Sequence, residues 1–125
     1  MTKMKNQAVG KIGEMIARET ARKRHYAVKD INVRTPYGEI DLILEKNDRI
    51  FFVEVKTRTS YRFGFPEEAV NQEKMSHMIQ NAEYYLNDRQ LSDKGWQLDV
   101  ISILLDQSTQ LAREIQWIEN ITADE

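Results

Sequence analysis

The sequence predicts an α/β domain with a central mixed β-sheet flanked by helices, in the order α-β-β-β-α-β-β. Three observations lead there. Residues 39–45 and 50–56 are short runs of β-branched, aromatic and aliphatic side chains around a polar turn. Residues 5–24 and 71–88 repeat apolar side chains at helical spacing. Both central strands are apolar on both faces, which requires helices on both sides of the sheet. With 125 residues, the chain (1–125) suffices for one domain and not for two well-packed ones.

Each element has its own local reason. In the first helix Val9, Ile12, Ile16 and Ala17 form an apolar stripe. Arg18, Arg22, Lys23 and Arg24 occupy its last turns, where cations suit the helix dipole. Residues 26–34 are a weaker strand that ends before Thr35-Pro36. Lys46-Asn47-Asp48-Arg49 reads as a tight turn between the two best strands. Residues 57–66 form a loop, and Pro66 suits the start of a short helical turn with Glu67 and Glu68 at its positive end. The helix over 71–88 carries Met75, Met78, Ile79, Ala82, Tyr85 and Leu86 on one stripe. Residues 96–105 and 112–119 complete the sheet, with a turn at 106–109.

Composition excludes several classes of function. There is no Cys, so disulfides, thiol nucleophiles and Cys-based zinc sites are out. His25 and His77 are too few for a histidine cage. No apolar run approaches the roughly 20 residues that span a bilayer, so a cytoplasmic protein without a membrane partner is expected. Net charge is −2, yet residues 1–29 hold eight Lys or Arg against two acids, and residues 82–125 hold three against nine. A basic end can attract a polyanion while the whole stays near neutral.

The chemistry concentrates in the 39–56 hairpin. With Asn47 and Asp48 as its turn residues, Lys46 faces Arg49, Asp41 faces Glu54, and Glu39 faces Lys56. Opposed carboxylates at about 5 Å repel. A divalent cation held by Asp41 and Glu54 relieves that repulsion, with Lys56 beside it to hold a water or a phosphate oxygen. A cross-strand salt-bridge ladder neutralised by Lys56 is the structural alternative. On the first helix, Gly10, Glu14, Ala17 and Ala21 share a stripe whose small residues allow close packing, and Glu14 is a further candidate ligand. Arg58, Tyr61, Arg62, Phe63 and Phe65 interleave cations with aromatics, a composition suited to phosphate contact and base stacking. Asp99, on an apolar strand, reads as structural.

These residues form a familiar pattern. Asp41 followed by Glu54-x-Lys56 resembles the PD-(D/E)xK signature of the restriction-endonuclease-like fold. Gly10-x-x-Gly13-Glu14, Gly38-Glu39-Ile40-Asp41-Leu42, Val53-Glu54-Val55-Lys56-Thr57-Arg58, Phe63-Gly64-x-Pro66-x-Glu68-Ala69-Val70 and Asp99-Val100-Ile101 together resemble the YraN family of small bacterial proteins. The pattern is also similar to archaeal Holliday-junction resolvases, which act as homodimers. The resemblance covers about residues 7–103. It departs in having Ile40, not Pro, before Asp41.

The resemblance implies a single nuclease-like domain that hydrolyses DNA phosphodiesters, with branched DNA among its substrates. Asp41 and Glu54 would bind Mg²⁺ or Mn²⁺, Glu14 would complete the site, and Lys56 would orient or activate the water. Arg18, Arg22, Lys23, Arg24, Arg58 and Arg62 are then the expected DNA contacts. A homodimer would supply two symmetric cuts, with Trp96, Trp117, Tyr84 and Tyr85 as candidate anchors; the alternative is that these aromatics fill the core of a monomer. The rival expectation is a non-catalytic DNA- or partner-binding module that keeps the fold.

Overall fold

The computed structural model of the chain describes residues 6–62, 64–66 and 70–122. The expected helical turn at Glu67-Glu68 and the position of Phe63 lie outside these residues. The order is α1 (Asn6–Lys23), β1 (Ala27–Thr35), β2 (Gly38–Lys46), β3 (Arg49–Arg58), α2 (Gln72–Asp88), β4 (Gly95–Leu105) and β5 (Ala112–Ile118). The five strands form one sheet in sequence order. β1-β2, β2-β3 and β4-β5 are antiparallel, and β3-β4 is parallel across α2. This is the expected α/β architecture, consistent with the restriction-endonuclease-like fold.

Two apolar clusters sandwich the sheet. Ala17 and Ala21 of α1 pack on Leu42, Leu44, Phe51, Val53, Ile101 and Ile103. On the other face Met75, Met78, Ala82, Tyr85 and Leu86 of α2 pack on Ile43, Ile50, Phe52 and Leu98. The clusters show why β2 and β3 are apolar throughout: each face is covered by a helix. None of the described helices is long and apolar enough to cross a membrane.

Local chemistry fixes the ends. The chain leaves α1 through His25, whose left-handed backbone (φ 70°) lets the Tyr26 N–H reach the Ala21 carbonyl and the His25 N–H reach Arg22. Asn71 caps α2, its side chain accepting from the Lys74 N–H at 2.8 Å. Asn47 and Asp48 both have positive φ, 53° and 63°, which suits a two-residue hairpin turn. Lys46 therefore faces Arg49, as the sequence predicts.

On α1 the close contact with the sheet is made at Gly13 and not at Gly10. A Cβ on Gly13 would lie 1.7 Å from Thr57 Oγ1, so α1 touches β3 where only glycine fits. A Cβ on Gly10 would meet nothing within 4 Å. The buried stripe is Val9, Gly13, Ala17 and Ala21, one residue off the expected one at its start.

Candidate active site

The two central strands part company at the acids. The β2-β3 ladder runs from Lys46↔Arg49 to Leu42↔Val53 and stops there. Asp41 and Glu54 are therefore not ladder partners, nor are Glu39 and Lys56. On the other side of β2, Ile31↔Leu42 and Val33↔Ile40 flank Asn32 and Asp41, which are not partnered in the ladder. Asn32 has φ 48°, a left-handed residue inside a strand. The alternation of β2 slips at the same point: Ile40 and Ile43 both pack beneath α2, while Leu42 packs beneath α1. Asp41 thus stands in a gap of the sheet.

Its carboxylate uses that gap. Asp41 Oδ2 accepts the Val55 N–H at 2.9 Å, a donor that a continued ladder would have given to the backbone of β2. Burial and the nearby Glu54 carboxylate push the Asp41 carboxyl up to about 7. The Val55 hydrogen bond opposes this, and Glu14 from α1 and Glu39 add to it. The acids thus act on one another although they come from β2, β3 and α1.

Glu54 points to the α2 face, as do Ile50 and Phe52 before it on β3. Its carboxylate meets an ammonium that the sequence reading did not single out: Lys74 Nζ lies 2.7 Å from Glu54 Oε1. The salt-bridge alternative assigned this role to Lys56; the structure gives it to the first turn of α2. Nothing in the pattern of α2 marks Lys74 among other helical lysines, so only the fold reveals it. Lys56 shares the face of Glu54 by strand alternation. It lies beside Ser102 of β4, whose buried hydroxyl has no hydrogen-bond partner among the described residues.

The donor set suits a hard divalent cation in type and in charge. Asp41 and Glu54 supply carboxylate oxygens near enough to interact, and the Asp41 carboxyl is raised first by burial and then by the Glu54 charge. Among the described residues, no three His, Asp or Glu side chains are gathered closely enough to hold a metal by themselves. Glu14 thus acts on Asp41 through charge rather than as a ligand already in place. A cation at Asp41 and Glu54 would take its remaining ligands from water and substrate.

The expected DNA-contacting cations divide into two groups. Arg18 lies one turn beyond Glu14 on α1, and Arg58 ends β3 two residues after Lys56. Arg58 NH1 donates to the carbonyls of Gly64 and Phe65 at 2.5 and 3.1 Å, bracketing the following loop. Arg62 belongs to that loop. Arg22, Lys23 and Arg24 lie at the opposite end of the sheet. The Arg24 carbonyl accepts from Lys46 Nζ at 2.7 Å, at the hairpin turn, and Lys46 is roughly 16 Å from Asp41 along β2. Arg24 also stacks on Trp117, 5.0 Å from its ring centre.

Asp99 is structural, as expected. It is fully buried and accepts from Gln97 Nε2, Trp117 Nε1 and the Asn120 N–H at 2.8–2.9 Å. Of the four candidate interface aromatics, Tyr85 is buried against Phe52, Trp96 packs on Phe52, and Trp117 packs on Tyr26. Tyr84 alone is exposed, at 40%.

Comparison with known proteins agrees with the resemblance in the sequence. The chain is 44% identical to a UPF0102 protein of Syntrophomonas wolfei over 81% of its length and 88% of the relative's. It is 42% identical to one of Alkaliphilus oremlandii, over 80% and 87%. It is 34% identical to one of Caldanaerobacter subterraneus, over 96% and 98%. The model of the family described as "Uncharacterised protein family UPF0102" matches residues 13–103, a span that holds Gly13, Glu14, Asp41, Glu54, Lys56 and Asp99. With the motifs, the family model and the relatives in agreement, this chain belongs to the UPF0102, or YraN, family.

Proposed function

We propose that the protein is a divalent-metal-dependent endonuclease acting on branched or otherwise structured DNA. The observation that carries this reading is the gap between β2 and β3, where Asp41 and Glu54 meet with Lys56 two residues on. Bound by Asp41 and Glu54, a Mg²⁺ or Mn²⁺ ion would supply charge neutralisation at the scissile phosphate and acidify a water. Lys56, a compact cation on the face of Glu54, orients that water or holds a phosphate oxygen. The Val55 N–H fixes the rotamer of Asp41 and so presents its second oxygen. Arg18, Arg58 and Arg62 lie on the Asp41 side of the molecule and are the nearer phosphate contacts. Arg22, Lys23 and Arg24 serve only a DNA long enough to follow α1. A homodimer would supply the two cuts that a four-way junction requires.

One observation favours a second reading, a DNA- or partner-binding module that keeps the fold without turnover. Lys74 already neutralises Glu54. A cation that binds Glu54 competes with the Lys74 ammonium for the charge of that carboxylate, so the readings differ over a measurable competition. Mn²⁺ is expected to raise the melting temperature of the wild type. Asp41→Asn and Glu54→Gln abolish that rise, and Lys74→Ala enlarges it. The same proteins are then assayed with Mg²⁺ and Mn²⁺ on four-way, flap, nicked and linear DNA. Cleavage by the wild type that is lost in Asp41→Asn supports the endonuclease. No melting shift and no cleavage sink it and leave the binding module.

A further inference from the structure

A cleft of about 370 Å³ opens from Glu54 toward α2, between the β1-β2 turn and the first two turns of the helix. Its volume lies in the range that takes a single small ligand. A duplex does not enter it. One end is formed by Glu54 and Lys74, and the remaining walls include Tyr37, Glu39, His77 and Asn81. It is therefore continuous with the carboxylates described above, and its chemistry differs from theirs.

The walls disfavour an anion and suit a flat, amine-bearing group. Glu39, Glu54 and Glu73 all border the cleft against the single ammonium of Lys74. That balance repels a phosphate from the interior while leaving it welcome at a metal on the Asp41 side. Carboxylates accept hydrogen bonds from exocyclic amines, as they do from cytosine N4. Asn81 is 5% exposed, and its Oδ1 accepts from the Thr35 hydroxyl, which leaves the amide N–H donors and one lone pair of that oxygen. Its Nδ2 would lie 3.5 Å from a Cβ on Gly38, at the floor of the turn. Tyr37 is 51% exposed at the rim, its ring 6.4 Å from that of Tyr84 in an edge-to-face pair. An exposed tyrosine pair beside a polar cleft offers a face on which a base can stack.

We infer that this cleft is a subsite for one unpaired nucleobase next to the scissile phosphate, and that it favours bases with an exocyclic amine over thymine. The substrate class is then DNA with a single-stranded or splayed nucleotide at the cut, and not continuous duplex. Tyr37 stacks the base, Glu39 accepts from its amine, and Asn81 donates to its ring acceptors. The inference rests on the endonuclease reading for the word scissile, while the binding itself does not.

The test is fluorescence anisotropy in EDTA at low salt, where no cleavage occurs. The probes are labelled oligo-dC, oligo-dT and a blunt duplex. Oligo-dC is expected to bind most tightly. Tyr37→Ala is expected to weaken both single strands about tenfold and the duplex little. Glu39→Gln is expected to level the difference between oligo-dC and oligo-dT. An equal loss on single strand and duplex, or no loss with Tyr37→Ala, overturns the subsite. Equal binding of oligo-dC and oligo-dT by the wild type overturns the preference for an amine. Tyr37 is an exposed turn residue, and an unchanged melting temperature of the variant verifies its fold. Tyr37-dependent binding without cleavage in any metal condemns the nuclease reading alone. Metal-dependent cleavage with no single-strand preference condemns the subsite alone.

Discussion

Asp41 couples the stability of the fold to pH. Its carboxyl is moved from an ordinary 3.8 to about 7, first by burial and then by Glu54. Between those two values the folded protein binds more protons than the unfolded chain. The stabilisation is complete below the lower value and is lost as pH rises through the higher one. On the order of 2–4 kcal/mol is at stake. Urea unfolding of the wild type is thus expected to show falling stability from pH 5 to pH 8. In Asp41→Asn that slope should be nearly flat, and the variant should be the more stable protein at pH 8. The same proton competes with a cation, so the Mn²⁺-induced melting shift should be larger at pH 8 than at pH 6. Parallel pH profiles for wild type and variant would remove Asp41 as the cause.

At the scale of elements, α1 is placed by the absence of a side chain. Gly13 lets the helix rest on Thr57, and a Cβ there collides with Oγ1, Cβ and Cγ2 of that threonine. Gly13→Ala gains helix propensity of about 1 kcal/mol but overpacks the contact at a cost of up to about 3 kcal/mol, with an expected net loss of about 1–2 kcal/mol. Gly10→Ala meets no neighbour and should stabilise by up to about 1 kcal/mol. Denaturant midpoints of the two variants should move in opposite directions, and Thr57→Ala should restore part of the Gly13→Ala loss. A Gly13→Ala protein as stable as wild type would mean that α1 is not seated on β3 in this way.

The same element shows what sequence could and could not reveal. Helical spacing locates α1 and places Val9 and Ala17, both buried, on its apolar stripe; it aligns Gly10 and Glu14 with Ala17 and Ala21 where Val9 and Gly13 stand, because a glycine has no side chain to mark its face. The β2-β3 hairpin was readable down to the pairing of Lys46 with Arg49, since Asn47 and Asp48 suit its turn. Beyond Leu42 the same arithmetic set Asp41 opposite Glu54. Alternation along a strand does not record that a neighbouring strand carries a left-handed Asn32 or that β3 turns away to follow β4. Lys74 was invisible for a related reason. Its partner Glu54 lies twenty residues away, and only the crossover of α2 brings them together.

For the whole molecule, the helices divide the work of its two faces. α1 carries the basic surface on one side, and α2 closes the cleft on the other. The sheet between them ends in two unequal borders. β5 shows Ile115, exposed by 37%, and Leu111 just before the strand is exposed by 67%. β1 shows Ile31, exposed by 42%, yet its ladder shifts between Val28 and Asp30 and bends again at Asn32. Such breaks spoil a strand as a template for another chain. Asn32→Val straightens the border, and sedimentation should then show association that rises with protein concentration; Asn32→Gly, which keeps the left-handed backbone, should sediment as the wild type does. The irregularity that opens the sheet at Asp41 therefore also guards its margin. A second copy is thus expected to join by a helical face or along β5 rather than along β1, the border nearest the acids, where the breaks in the ladder disfavour strand addition.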